Sequence, residues 1–514
     1  MGNTDYNPLA CRKPHSRRDF FELVSDGLYG LALTSLLCDD LYGGTSKLRP
    51  DVVSAPDSSS PRAYDLRPRS PQFEPKAKAI IQLFMNGAPS QMDLFDPKPM
   101  LDRHRGESFI EKAATEFMSA ADQRGLLPSP IRFAQHGNAG IWLSDAMPHL
   151  ADVADEIAVI RSMHTASPVH NLALYVLQSG QIKSTLPTIG AWVVYGLGTV
   201  NQNLPAFVVL DDPLGLPSNG VANWQNGFLP PIYQGTRFRS TGDPILDLRP
   251  EVDDPPELVQ LGRRLMNRLE HAYKLNHPWQ PEIDARIASY ELAARMQVEA
   301  STALDISKES QETLEMYGVG QKPGLQGIQY RNPGPDNYAR RCIMARRLIE
   351  RGVRYVQICL NSQIWDNHAY LENGILGACD RTDKPIAALL KDLKQRGLLD
   401  RTLVIWGGEF GRLPNGQMTE GNKRGSLNIE GRDHNSKAFS LWMAGGGVKG
   451  GTVYGATDDF GFRVAENPVS VADFHATILH LMGLDYRQLF FEVDGKQERL
   501  TSTLEPRVVK EILA

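Results

Sequence analysis

The sequence predicts an α/β protein: a doubly wound, mainly parallel sheet with flanking helices. Three observations carry that expectation. Short uninterrupted apolar runs recur along the chain, and strands buried on both faces read as such runs, not as alternating patterns. Helix-like stretches separate several of the runs, the alternation expected of βαβ units. Most runs end in polar and ionisable residues, and open α/β sheets place their sites outside the carboxyl ends of their strands.

AIIQLFM (79–85) is the first run and stops at Asn86-Gly87. EIAVIRSM (156–163), AFVVL (206–210), RYVQICL (354–360), TLVIWGG (402–408) and FSLWMAGG (439–446) follow. Helices are expected over 168–180, 257–275, 281–302, 336–352 and 382–397. The stretch 211–335 lacks a strong strand run and reads as a helical and looped insertion in a domain spanning 79–514. No internal repeat is visible.

Ahead of the first run, Arg17-Arg18, Phe20-Phe21 and a modest apolar run from Gly27 to Leu37 stand in the order of a twin-arginine export signal over residues 1–40. That order predicts the export machinery as a partner and a periplasmic or extracellular location; an amphipathic N-terminal helix is the alternative. Residues 41–78, rich in Pro, Ser and charge, read as a linker or extended arm.

Composition narrows the function classes. The 514 residues are 41% hydrophobic and 22% charged, ordinary for a soluble globular chain. A net charge of −5 gives no support for a nucleic-acid partner. No stretch approaches the roughly 18 apolar residues of a transmembrane span. Five cysteines without a CxxC pair make neither a disulfide framework nor a zinc knuckle, and Cys342 and Cys359 read as core residues.

The candidate functional residues follow the runs. Asn86, Ser90, Gln91 and Asp93 come after the first, and His164, Thr165, Ser167 and His170 after the second. Asn361, Trp365, Asp366 and His368 follow RYVQICL, and Glu409 and Arg412 sit on the glycine-rich stretch after TLVIWGG. GRDHN (431–435) adds Asp433 and His434 ahead of the last run. Singly, each has an ordinary reading. Asp366 and His368 fit a loop pair, Glu409 a salt bridge to Arg412, Asp433-His434 a surface turn, Asp93 and Asp96 turn caps, and His164 and His170 packed histidines. Together, Asp, Glu and His at successive strand ends are the donors a divalent metal requires. Asp433 is placed to orient a ligating histidine from behind.

GAPSQMDLFDPKP, IAVIRSMHT, IGAWVVYGLG, GFLPPIYQG, IWDNH, LKQRGLLDRTLVIWGGEFGR, GRDHN, WMAGGGVKGGTVYGATDDFGF and VADFHATILHLMGLD, in this order, resemble the domain-of-unknown-function family 1501. These are exported, sulfatase-like bacterial proteins of the alkaline phosphatase superfamily, and the similarity runs from about residue 73 to the C-terminal VVKEILA. The resemblance implies an alkaline-phosphatase-like fold. It also implies hydrolysis or transfer of sulfate or phosphate esters, of small molecules or polysaccharides, at one or two divalent metals such as Zn or Ca. Asp366 and His368 resemble the superfamily's Asp…His metal pair, and His434 its late histidine ligand. Glu409 takes the place of a strand-end Asp-His, and Asp93, with Asn86, lies near the first-strand ligand. Gln91, His164 and Asp433 would stand behind these ligands.

No Cys-x-Pro-x-Arg signature is present, so a formylglycine nucleophile is not expected. The corresponding stretch, HTASPVHNLALY, offers Ser167 or Thr165, with His170 an alternative. Arg412 would bind the anion's oxygens through its planar fork. Asn86 replaces an aspartate and Phe410 a histidine, which lowers the ligand count. The two functional expectations are therefore an exported metal-dependent esterase and a non-catalytic protein that binds a glycan or partner in the same cleft.

Overall fold

The computed structural model describes residues 65–108, 123–240, 255–276, 281–324, 332–417 and 430–514. The export-signal reading and most of the linker, residues 1–64, lie outside the described residues. The chain divides into two compact units, Met1–Ala63 with Arg249–Ile287, and Tyr64–Leu248 with Ala288–Ala514. In the first, the described residues form the helix Pro256–Asn276 and the opening of the helix Pro281–Leu304, each begun by a proline whose missing N–H costs nothing there.

The second unit holds the sheet. Its strands, in chain order, are β1 (Ala79–Phe84), β2 (Gln123–Leu126), β3 (Phe133–His136), β4 (Ile141–Ser144), β5 (Ile157–His164), β6 (Phe207–Leu210), β7 (Thr236–Phe238) and β8 (Tyr355–Cys359). Then come β9 (Thr402–Gly407), β10 (Gly411–Gln417), β11 (Gly431–Asn435), β12 (Phe439–Ala444), β13 (Thr452–Tyr454), β14 (Ala456–Thr457), β15 (Val464–Glu466) and β16 (Val469–Ser470). The main sheet runs β13-β5-β12-β9-β1-β8-β6-β7, with β16 beside β5. β10, β11 and β2 form a small three-stranded sheet; β3–β4 and β14–β15 are separate antiparallel pairs.

β1 is central, parallel to β8 and β9, with Ile80 opposite Tyr355 and Leu403. Every residue of β1, β8 and β9 is buried, as both faces of such a sheet require. The exception to parallel order is β12, antiparallel to β5 and β9. Parallel return needs a crossover, usually a helix. Between β9 and β12 the described chain offers β10 and β11 instead.

The helices His170–Ser179 and Asp336–Glu350 match their expected places closely. The helix expected over 382–397 begins earlier and spans Leu371–Gln395. Leu371, Ile375, Ala378 and Cys379 extend its buried stripe at helical spacing. The helix Ile189–Leu197 had no amphipathic signature because almost all of it is apolar and buried. The stretch 211–335 is not strand-free, since β7 closes one edge of the sheet. GRDHN does not merely lead into a strand; it is β11 itself.

Residues 65–78 lead into β1, donating from Arg69 N to Leu197 O (2.9 Å) and from Ala77 N to Leu481 O (2.8 Å) on the way. Cys342, Cys359 and Cys379 are buried free thiols. Among the described residues no helix is long and apolar enough to cross a membrane.

Candidate metal centre

The strand order brings distant segments to one edge. β1, β8 and β9 run parallel, and β5 shares their direction because it is antiparallel to β12. The segments leaving their carboxyl ends carry Gly87, His170, Asp366 with His368, and Glu409. β11 adds His434, paired with Arg412 of β10. Two glycines permit this convergence. A Cβ on Gly87, at φ +107°, would lie 2.9 Å from the backbone of Gln363, Trp365 and Asp366. One on Gly431 would lie 2.0 Å from the carbonyl carbon of His368. Any larger residue at either place would push away the loop that presents Asp366 and His368.

His170, Asp366, His368 and His434 each offer one ligand atom, all within 4.8 Å of one another. Each imidazole is oriented from behind. His170 Nδ1 lies 2.6 Å from Glu409 Oε1, His368 Nδ1 2.5 Å from Gln417 Oε1, and His434 Nδ1 2.7 Å from the Pro168 carbonyl. All three partners accept, so in its neutral form each imidazole donates from Nδ1 and presents a lone pair at Nε2. Those lone pairs converge. His368 Nε2 is 2.9 Å from His434 Nε2 and 2.9 Å from Asp366 Oδ1. His434 Nε2 and His170 Nε2 lie 3.4 and 3.3 Å from the same oxygen, and His170 Nε2 is buried without a hydrogen-bond partner. Acceptors crowded against acceptors repel unless a cation joins them. Three neutral imidazoles and a carboxylate, each oriented from behind, fit a divalent metal.

The other expected site residues divide into those beside the cluster and those apart from it. Glu409 is buried behind His170 and accepts Gly87 N at 3.0 Å; it orients a ligand instead of joining the four. Arg412 is not an open anion-binding fork. Its guanidinium is buried, donating to Ala88 O (2.9 Å), Gly87 O (2.5 Å) and Arg432 O (3.2 Å), with Nη2 2.6 Å from Asp366 Oδ1. Asp93 stands apart as well: Arg432 grips both its oxygens at 2.7 and 3.1 Å, and Ser90 donates to it. Gln91 brackets the backbone of Arg412, accepting its N–H at 2.8 Å and donating to its carbonyl at 2.9 Å.

Asp433 accepts His434 N at 2.6 Å and sits 3.8 Å from His368 Nδ1, with Oδ2 unpartnered. Asn86 is fully buried, and neither amide atom has a partner. Ser167 accepts Val169 N at 3.1 Å, while the Thr165 hydroxyl is buried without a partner. His164 ends β5 beside Ser470 of β16. Gln417, Pro168 and Arg432 escaped the sequence reading. Phe410, expected only as the residue in place of a histidine, has its ring centroid 4.7 Å from those of both His170 and His434.

The electrostatics follow this geometry. Burial alone would raise the Asp366 carboxyl, but Arg412 and the three histidines hold it far below the usual carboxylate range. Burial, helped by Arg412, pushes His434 down to about 3, against the pull of Asp366. For His170, burial is outweighed by Asp366 and Glu409, and its pKa is raised. Burial raises Asp433.

The fold and the cluster define an α/β protein with a candidate metal centre at the carboxyl edge of a mixed, mainly parallel sheet. The family model described as "Protein of unknown function (DUF1501)" matches residues 77–513, and the chain belongs to that family. No protein of curated function matches it. Among solved structures it is similar to the PsFucS1 sulfatase from Pseudoalteromonas sp. (12% identity, TM-score 0.33, covering 81% of this chain and 68% of that one). It is also similar to the phosphonate monoester hydrolase SpPMH from Silicibacter pomeroyi (13%, 0.31, 71% and 71%). A third is the alkaline phosphatase from the Antarctic bacterium TAB5 (10%, 0.30, 79% and 98%). Likenesses of this size carry no argument about the reaction, which has to come from the site.

Proposed function

We propose that the chain is an exported, divalent-metal-dependent hydrolase of sulfate or phosphate esters. One observation carries the reading: three imidazole lone pairs and a carboxylate oxygen meet within 4.8 Å, each imidazole fixed by an acceptor behind it. This nitrogen-rich set suits Zn, whereas Ca takes roughly six to eight oxygens. When bound, such a cation polarises the ester and neutralises charge that builds on its oxygens. The chain's own residues prepare that place. Glu409, Gln417 and the Pro168 carbonyl set the tautomers, and Arg412 fixes Asp366. Ser167, three residues before His170 at the strand–helix junction, is the hydroxyl proposed as nucleophile, with Thr165 as the substitute. Export through the twin-arginine route, to the periplasm or beyond, belongs to the same reading.

One observation favours the non-catalytic alternative. Arg412, the cation expected to bind the ester's oxygens, has its donors engaged by the protein. Elemental analysis after reconstitution with Zn, followed by a panel of aryl sulfates and phosphates, separates the two. Bound metal with turnover that Ser167→Ala abolishes supports the hydrolase. Bound metal without turnover, or no bound metal with the fold retained, supports the binding protein and ends the hydrolase.

A further inference from the structure

We propose that the organic half of the ligand is uncharged and apolar, an aryl or alkyl group seated on a fixed hydrophobic rim beside the metal centre. The proposal deepens the hydrolase reading and rests on it for the anionic half of the ligand.

The rim is built from two segments, one carrying a ligand of the cluster and one tied to the segments that carry the others. Val169 and Leu172 bracket His170 at the start of its helix. Leu214, Leu216 and Val221 lie on the loop after β6. All five are between 38% and 55% exposed, in a chain whose other large apolar side chains are mostly buried. The loop joins the segments that hold the metal ligands. Asn219 Nδ2 donates to Asn171 O at 2.8 Å, on the His170 helix. Ser362 N donates to Leu216 O at 3.1 Å, on the strand-end segment that leads to Asp366.

The loop is also pinned. The buried Asp212 carboxylate accepts Leu214 N at 3.0 Å, Asn361 N at 3.1 Å and Arg341 Nη2 at 3.2 Å, and pairs with Arg381. Exposed leucines on so firmly held a backbone are preorganised, which lowers the ordering cost of binding. Scattered exposed apolar residues need no explanation; five of them on two segments linked to those that carry the candidate ligands do.

Charge on the rim's own segments favours an uncharged occupant. The segments 165–172, 212–224 and 361–370 contain no Lys or Arg. A polyanionic sulfated chain needs cations along its path, and these segments supply none. An apolar aglycone needs only the area they expose.

Calorimetric binding of non-hydrolysable anions with one head group tests this without turnover. Naphthalene-1-sulfonate should bind the zinc-loaded protein about tenfold or more tightly than methanesulfonate, the scale of a few added methylenes in an apolar pocket. It should also outbind glucose 6-sulfate. Leu216→Ser combined with Val221→Ser should erase most of the naphthyl advantage and leave methanesulfonate unchanged. Equal binding of the two sulfonates, or preference for the sugar, overturns the rim. A parallel assay of 1-naphthyl, methyl and glucose 6-esters keeps the two readings apart. If no ester turns over while the naphthyl preference holds, the hydrolase reading fails and the rim stands. If esters turn over without apolar preference, the rim fails and the hydrolase stands.

Discussion

Two carboxylates at the same edge of the sheet, one buried and one half-buried, differ in what surrounds them. Asp212 faces donors: two arginines and the backbone N–H groups of Leu214 and Asn361. Asp366 faces one arginine and three imidazole nitrogens whose own partners leave them as lone pairs. The first arrangement is closed and complete as a folded structure. The second gathers the donor set that a cation could join. Asp93, gripped by both forks of Arg432, belongs with Asp212. Residue type does not separate a structural ion pair from a candidate metal centre here. The direction of the hydrogen bonds behind the ligands does.

The sharpest way to break this contrast is to exchange the two kinds of carboxylate. Asp366→Asn should weaken zinc binding by more than about 100-fold, beyond the range typical of residues that merely support ligands. Asp93→Asn should leave stoichiometry and affinity intact. Equilibrium dialysis with elemental analysis reads both. Equal losses in the two variants would show that the donor pattern does not distinguish them.

The next effect falls on stability. Arg432→Ala leaves the Asp93 carboxylate buried and unpaired, which should cost about 3–5 kcal/mol. The denaturant midpoint should drop while metal content is kept. A variant that loses metal with little loss of stability would place Asp93 in the open class.

Glu409 supplies a smaller change. Glu409→Gln keeps an acceptor near His170 but removes its charge, and zinc affinity should fall by about 10–100-fold. Direct ligation by Glu409 would produce a loss as large as that of Asp366→Asn.

These contrasts also explain what could be read from the sequence. The strand runs were legible because β1, β8 and β9 are buried on both faces and therefore continuously apolar. Parallel order put Asp366, His368 and His170 at one edge, so their convergence could be expected. LPNGQ, by contrast, has a proline and a glycine and reads as loop, yet it is most of β10. Its irregular pairing with β11 brings Gln417 to His368. The Pro168 carbonyl could not be foreseen from any side-chain pattern. Arg412 was read as an anion binder because its residue type suits anions equally well when exposed or buried. Only the backbone carbonyls around it decide which. Asp93 was assigned by its distance from a strand end, and Arg432, the residue that claims it, sits in the very GRDHN that supplies His434.

The smallest effect concerns the proton that stands in for the metal. Without zinc, His170 has a raised pKa, set by Asp366 and Glu409 against burial. A group raised in the folded state contributes stability fully below its ordinary value of about 6.5, and that stability disappears as pH climbs through the folded value. The metal-free protein should therefore lose the His170 share of its stability as pH climbs above about 6.5. The zinc-loaded protein needs no proton on Nε2, so it escapes that loss. His434, pushed down to about 3, stays neutral in the folded protein here, but its unfolded imidazole still binds protons near pH 6.5, so its own contribution rises with pH and partly offsets the His170 loss, equally with and without zinc. The melting-temperature gain on adding zinc should consequently be larger at pH 8.5 than at pH 6, and Glu409→Gln should flatten the metal-free slope. A zinc gain that is the same at both pH values would mean that His170 carries no such proton, and that the open carboxylate is balanced in some other way.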